Sequence, residues 1–293
     1  MRPTRLHAFA IVIAGAFALS GCGGGGSPGD TRPGPTPVEA PPPGEPDKFL
    51  LFPNPQQQAD GSQQTNTQEY AEAYYRAIDP DNERDTLAKY KARNGFETGT
   101  GNEVNVVFGD RRDLGYGRRM YARSNPDGTY AFYVENYLIQ AGGAYAYSPL
   151  NLDAAIIRDT RWMVGINAIE FSPGPNGGAA FPKFYNFNPA GVRQLFVNLD
   201  GRGLKAMPGP CISCHGGRGD ALTPPDATGK RLFNLVRNSV SQHRGDVQAR
   251  MHPFEADVFD FSVTRPGFSR PEQEAAIKTI NRMILCTYPI ATP

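Results

Sequence analysis

Five consecutive residues of this chain hold enough chemistry to define a site: Cys211-Ile212-Ser213-Cys214-His215. Two thiols three positions apart can add to the two vinyl groups along one edge of a porphyrin, and the adjacent imidazole then falls under the iron as its ligand. Three other chemistries use the same residues. Zinc accepts thiolate and imidazole but wants four donors, which brings in Cys286, His243 or His252. A redox disulfide between Cys211 and Cys214 expects a strand-to-helix turn beside a parallel sheet, whereas Pro208-Gly209-Pro210 precedes the motif and Gly216-Gly217 follows it. A purely structural disulfide is the fourth. No catalytic triad, paired carboxylates or phosphate-binding loop stands out elsewhere in the sequence.

The start of the chain says where this chemistry takes place. Arg2 and Arg5 precede an apolar run from residue 8 to residue 19, too short to span a bilayer and of the length of an export signal. The run ends in Leu19-Ser20-Gly21-Cys22. Behind it, glycine and proline crowd together: residues 1–46 hold 9 of the 33 Gly and 9 of the 27 Pro in 293 residues. The expected organisation is therefore a signal peptide at 1–21, a Gly/Pro-rich disordered tether at 22–48, and a folded remainder. Lys and Arg number 30 against 29 Asp and Glu, and loss of the signal takes the formal charge from +1 to −1, so no basic excess exists for a nucleic acid. Four cysteines are too few for a disulfide scaffold.

The elements that must position the motif are legible from periodicity. Tyr70, Ala73, Tyr74, Ala77 and Ile78 recur at helical spacing, and a short second helix follows Asp79-Pro80-Asp81 through Leu87 and Tyr90. Residues 104–108, 119–123, 129–137, 162–171, 181–187 and 194–199 are rich in β-branched and aromatic types, with Asn125-Pro126-Asp127-Gly128 as a hairpin turn and 173–178 as a second turn. An antiparallel sheet of five or six strands is expected. After the motif, Leu232, Val236, Val240, His243, Val247 and Met251 give helical spacing. A last helix opens near Ser269 with Pro271 and Glu272 in its first turn and a stripe of Ala276, Ile277, Ile280, Met283 and Ile284. The fold class is α+β: N-terminal helices and a central antiparallel sheet at 49–205, then C-terminal helices at 206–293 that carry the motif at their start, in one domain with the sheet.

Two resemblances follow from these residues. Leu19-Ser20-Gly21-Cys22 resembles the lipobox of bacterial lipoproteins, which implies a lipid on Cys22, and Gly23 in the next place implies delivery to the outer membrane, facing the periplasm or the exterior. Pro210 to Gly217 resembles the c-type cytochromes. That implies one covalent haem c on Cys211 and Cys214, iron bound by His215, and a redox partner protein. The layout, with a late motif behind an antiparallel sheet, is similar to the P460 and c′-β cytochromes, whose haem lies against the sheet with an open or specialised distal face.

Function then turns on the second axial ligand, because electron carriers favour a six-coordinate iron and enzymes an open one. Met251, 36 residues beyond His215, is the first candidate; His252, Met283 and His243 are alternatives, as is no protein ligand at all. Met120 and Met163 lie in strand-like runs and read as core, and Met207 is too near the motif. A monohaem electron carrier is expected first, a haem enzyme acting on peroxide or a small nitrogen compound second, and a binding module with a structural haem third. Asp110 to Asp113 and Arg118-Arg119 form an edge for propionates or an acidic partner, or an ordinary solvated turn. Trp162 reads as core or a propionate donor, and Cys286 as a leftover buried thiol.

Overall fold

Antiparallel pairing of consecutive strands builds the centre of the molecule. The computed structural model describes residues 67–97, 102–139, 147–173, 180–201, 203–215 and 249–288. These fall in the unit Pro37–Pro293; the signal, Cys22 and the tether, and the helix read at 232–248 with His243, lie outside the described residues. Strands β1 (Asn102–Gly109), β2 (Gly117–Ser124), β3 (Tyr130–Tyr137), β4 (Met163–Ser172) and β5 (Phe181–Phe187) form one sheet in sequence order, all antiparallel. The turn at Asn125 is closed as expected, with Gly128 N–H donating to the Asn125 carbonyl at 3.0 Å and Thr129 N–H to Asp127 Oδ1 at 3.0 Å.

Residues paired across strands share a face, so register sorts the side chains. Tyr121, Tyr133, Ala168 and Tyr185 form one row, and Met120, Val134, Asn167 and Asn186 the next, on the opposite face. The first face is covered by helices α1 (Gln68–Ile78) and α2 (Leu87–Arg93), whose Tyr74, Tyr75 and Tyr90 bury against Tyr133, Tyr185 and Phe187. Tyr90 is fully buried, and its hydroxyl reaches the Phe132 and Ile169 carbonyls at 3.0 and 2.9 Å, so the burial leaves no orphan there.

Helix α3 (Pro149–Ile157) covers the same face at the β1–β2 end, through Leu152, Ala155 and Ile156 against Val107 and Tyr137. It is absent from the sequence expectation, although Ser148 caps it by accepting from Leu150 N–H and Pro149 opens its first turn. It crosses β2 so closely that a Cβ on Gly117 would lie 1.7 Å from the Asn151 carbonyl oxygen, which requires glycine. The 194–199 run also departs from expectation: only β6 (Phe196–Val197) forms, and it pairs with β7 (Lys205–Ala206) in a separate ribbon, so the main sheet has five strands.

The second face is half covered by helix α5 (Arg270–Cys286), which has the expected stripe of Ile277, Ile280, Met283 and Ile284 against Val106, Met120 and Ala122. Ser269 and Glu272 form its capping box. Gln273 donates to and accepts from the Val107 backbone at 2.8 and 2.6 Å, which closes the outer edge of β1.

A buried ion network locks α1 to the sheet. Arg84 grips both oxygens of Glu170 at 2.6 and 3.0 Å and also reaches Asp79, which takes Arg193 at 2.5 Å. Burial alone would raise the Glu170 carboxyl, but the hydrogen bonds and charge of Arg84 outweigh it and hold the group below its ordinary 4.5. Arg84→Met is expected to leave Glu170 buried without its cation and to cost about 3–5 kcal/mol in urea unfolding. Because the native carboxyl is depressed, the contribution it makes to stability is in place above its ordinary pKa and is lost as pH falls through the native value. The Arg84→Met variant should therefore lose much of this acid dependence.

Candidate functional site

The motif lies on helix α4 (Gly209–His215), which is too short to stand by itself. Tertiary anchors hold it: Ile212 is 2% exposed and packs with the fully buried Met207 in the tyrosine core, and Met207 N–H donates to the Leu195 carbonyl at 2.8 Å. Cys211 and Cys214, three apart, fall on one side of the helix. Cys211 packs against the tyrosine core while Cys214 is exposed, and neither thiol is in a disulfide. Burial pushes the Cys211 thiol far up, so it stays protonated at neutral pH.

His215 is fixed from behind. Its Nδ1 lies 2.7 Å from the Arg250 carbonyl oxygen, and Arg250 N–H donates back to the His215 carbonyl at 2.8 Å. A carbonyl can only accept, so Nδ1 carries the proton and Nε2 keeps its lone pair. Burial, the dominant cause, lowers the imidazole to about 4, which leaves it neutral at pH 7. Phe184 and His252 flank the ring, with centroids at 5.4 and 5.1 Å. By the same reasoning His252 Nε2 donates its proton to the Cys214 carbonyl at 2.9 Å.

In front of Cys214 and His215 opens a cavity of about 430 Å³ against the second sheet face. Its sheet wall is Met120, Phe132, Val134, Asn167 and Ile169, and its opposite wall includes Met251, His252 and Phe254. The rim carries Asp110, Arg112, Asp113 and Arg118. Arg118 is committed to Asp110 at 2.7 Å and Asp113 at 3.2 Å, whereas exposed Arg112 has no ion pair among the described residues. Of the other arginines in this edge, Arg111 pairs with Asp260 and Arg119 turns to the far face to reach the Ala155 and Ile156 carbonyls.

The structure brings together Cys214, His215, Met251 and His252, with Cys211 one turn back from the cavity lining. Met251 is 4% exposed and lies in the irregular segment 249–255, so the helix expected to run to Pro253 does not include it. It directly follows Arg250, so its backbone runs along the His215 side, and its carbonyl accepts from the Tyr288 hydroxyl. Met283 packs in the α5 core outside the lining. Met120, read as core, lines the cavity as well; its place in the alternation of β2 is the signal for it, once the pairing of that strand is known. Cys286 is exposed at the end of α5, a hydrogen-bond partner of Tyr130, and so is not the buried thiol expected. Among the described residues, no three His, Cys, Asp and Glu side chains converge as a metal-ligand set.

In chain produced without covalent attachment, a thiol-alkylating reagent under native conditions is expected to modify Cys214 and Cys286 well ahead of Cys211. Peptide mass spectrometry gives the ranking, and equal rates at Cys211 and Cys214 would contradict the packing described. Set against family models, curated proteins and solved structures, the chain matches none, so its role is argued from the chemistry of these side chains.

Proposed function

We propose that the chain is a monohaem c-type cytochrome: haem c held by Cys211 and Cys214, its iron by His215, in a lipoprotein anchored through Cys22 at the outer membrane, relaying single electrons to a redox partner. The observation that carries this reading is the neutral His215, whose Nε2 has no partner among the described residues, clamped by the Arg250 carbonyl next to Cys214 at an apolar cavity, with Cys211 one helical turn back. A backbone carbonyl behind a ligating histidine sets its tautomer and raises its basicity. At about 430 Å³ the cavity is in the range of cofactor pockets.

Haem bound there supplies a one-electron iron couple. Phe132, Val134 and Ile169 keep water from one wall, which is among the means by which a protein sets a haem potential. Arg112, without an ion pair among the described residues, offers its guanidinium at the rim to a propionate, with the geometry of Arg and carboxylate favouring a paired contact. Among the described residues no helix is long and apolar enough to cross a membrane, and the lipid on Cys22 is the proposed anchor.

A second reading, a haem enzyme with an open iron face, is favoured by one observation. Met251 emerges on the His215 side, and the sheet wall offers hydrocarbon, the Asn167 amide and the single sulfur of Met120.

Protein matured with haem-attachment machinery is expected to stain for covalent haem after denaturing electrophoresis, and the double variant Cys211→Ala, Cys214→Ala to lose the stain. Absence of stain in the parent protein defeats both readings. Carbon monoxide added to the reduced protein separates them: an unchanged spectrum supports the six-coordinate carrier, and an immediate shift the open-faced enzyme. If Met251 is the sixth ligand, Met251→Leu converts the first behaviour to the second. Labelling with radioactive fatty acid should be lost in Cys22→Ala.

A further inference from the structure

The same sheet face holds a second cavity, of about 440 Å³, that shares Asn167 with the first. Its floor carries amides from three adjacent strands: Asn167 on β4 directly opposite Asn186 on β5, and Asn136 on β3 one diagonal step away, opposite Gly165. Their hydrogen bonds do not close on themselves. Asn136, 2% exposed, spends its Nδ2 on the Val134 and Gly165 carbonyls at 3.3 and 3.2 Å, and its buried Oδ1 has no partner among the described residues. Asn186 Nδ2 donates to Asn167 Oδ1 at 2.6 Å, so three amide N–H and one amide oxygen of that pair have no side-chain partner among the described residues, whichever way round the two amides are set.

Two more orphans border the same space. Trp162 Nε1 and Asn198 Oδ1 are buried with no hydrogen-bond partner among the described residues. Native proteins leave few such atoms, and several around one cavity form a polar lining that a bound polar group or ordered water would satisfy. The Asn198 oxygen comes within reach by rotation about its terminal amide torsion, which is broad and soft, whereas the Asn136 amide is held in place by its two donor bonds.

The chemistry of the occupant follows from what the lining lacks. Its one charged side chain, Arg161, is largely exposed and already paired with both oxygens of Asp159 at 2.8 and 2.5 Å, so the lining holds no buried charge that would select an ionic ligand. Donors and acceptors are interleaved, and the uncharged group that answers both is the hydroxyl. Leu138, Phe196 and Leu199 supply an apolar surface for the C–H face of a ring. We propose that this cavity is a binding site for an uncharged carbohydrate of one or two sugar rings. The proposal uses none of Cys211, Cys214 and His215, and it stands whether or not the first cavity holds a haem.

Trp162 is the only tryptophan of the chain, so its emission reports this cavity, and calorimetry gives a second readout that a haem cannot quench. The protein as isolated is titrated with glucose, N-acetylglucosamine and cellobiose, with glucuronate as the charged control. Saturable binding by at least one neutral sugar is expected, with a dissociation constant of about 1 mM or tighter, and binding of glucuronate at least about tenfold weaker. Asn136→Leu and Asn198→Ala should each weaken the sugar by about tenfold or more; if Asn136→Leu does not fold, the half-buried Asn198 still carries the test. The proposal is overturned if no neutral sugar gives heat or an emission change, if glucuronate binds as well as glucose, or if Asn198→Ala binds as tightly as the parent. A protein that fails this titration yet stains for covalent haem keeps the first cavity's assignment and loses this one.

Discussion

The two-residue repeat of the β-strand governs this molecule. Neighbouring side chains on a strand must point to opposite faces, so a sheet that buries a tyrosine core on one side necessarily presents its intervening residues to the other. Tyr121, Tyr133 and Tyr185 commit the first face to α1 and α2. Met120, Phe132, Val134, Asn167 and Ile169 are thereby delivered to the second, where α5 covers one part and leaves the rest to the candidate site. A slip of one residue in the β2–β3 pairing would turn tyrosines into the cavity and take the apolar wall out of it.

Upon that frame the site is held by few and local contacts. Helix α4 is seven residues long and has no independent stability, so Ile212 and Met207 pin it to the core while the paired hydrogen bonds between His215 and Arg250 pin its end to the segment 249–252. One bond of that pair also chooses the imidazole tautomer, so the contact that completes the fold prepares a ligating nitrogen. The ion network of Asp79, Arg84, Glu170 and Arg193 does the corresponding work on the first face, where it ties the end of α1 to β4.

Elements whose cues are local were legible in the sequence. Helix α5 declares itself by Ser269, Pro271, Glu272 and an unbroken apolar stripe, and the five strands by alternation and by the turn at Asn125. Helix α3 was not, because Leu150 to Ile157 is apolar nearly all round and shows no period, leaving only Ser148-Pro149 as a cue. The 194–199 run has strand-forming residues but pairs with β7, since β5 already ends the sheet with Tyr74 Oη accepting from the Phe184 N–H at its edge. Helical spacing up to Met251 ended in an irregular segment, because backbone bonds to His215 and Tyr288 replace those of a helix turn.

The sequence by itself determined the reactive groups: two thiols and an imidazole in five residues owe their spacing to covalent adjacency, and no folding is needed to bring them together. It determined the α+β class as well, since the periods of helix and strand are local properties of the chain. Only the tertiary structure decided what surrounds those groups. Arg250 behind His215, Met120 and Asn167 in the facing wall, Arg112 at the rim and the asparagines beyond come from distant segments. Their meeting depends on strand register and helix packing, and no local residue pattern encodes it.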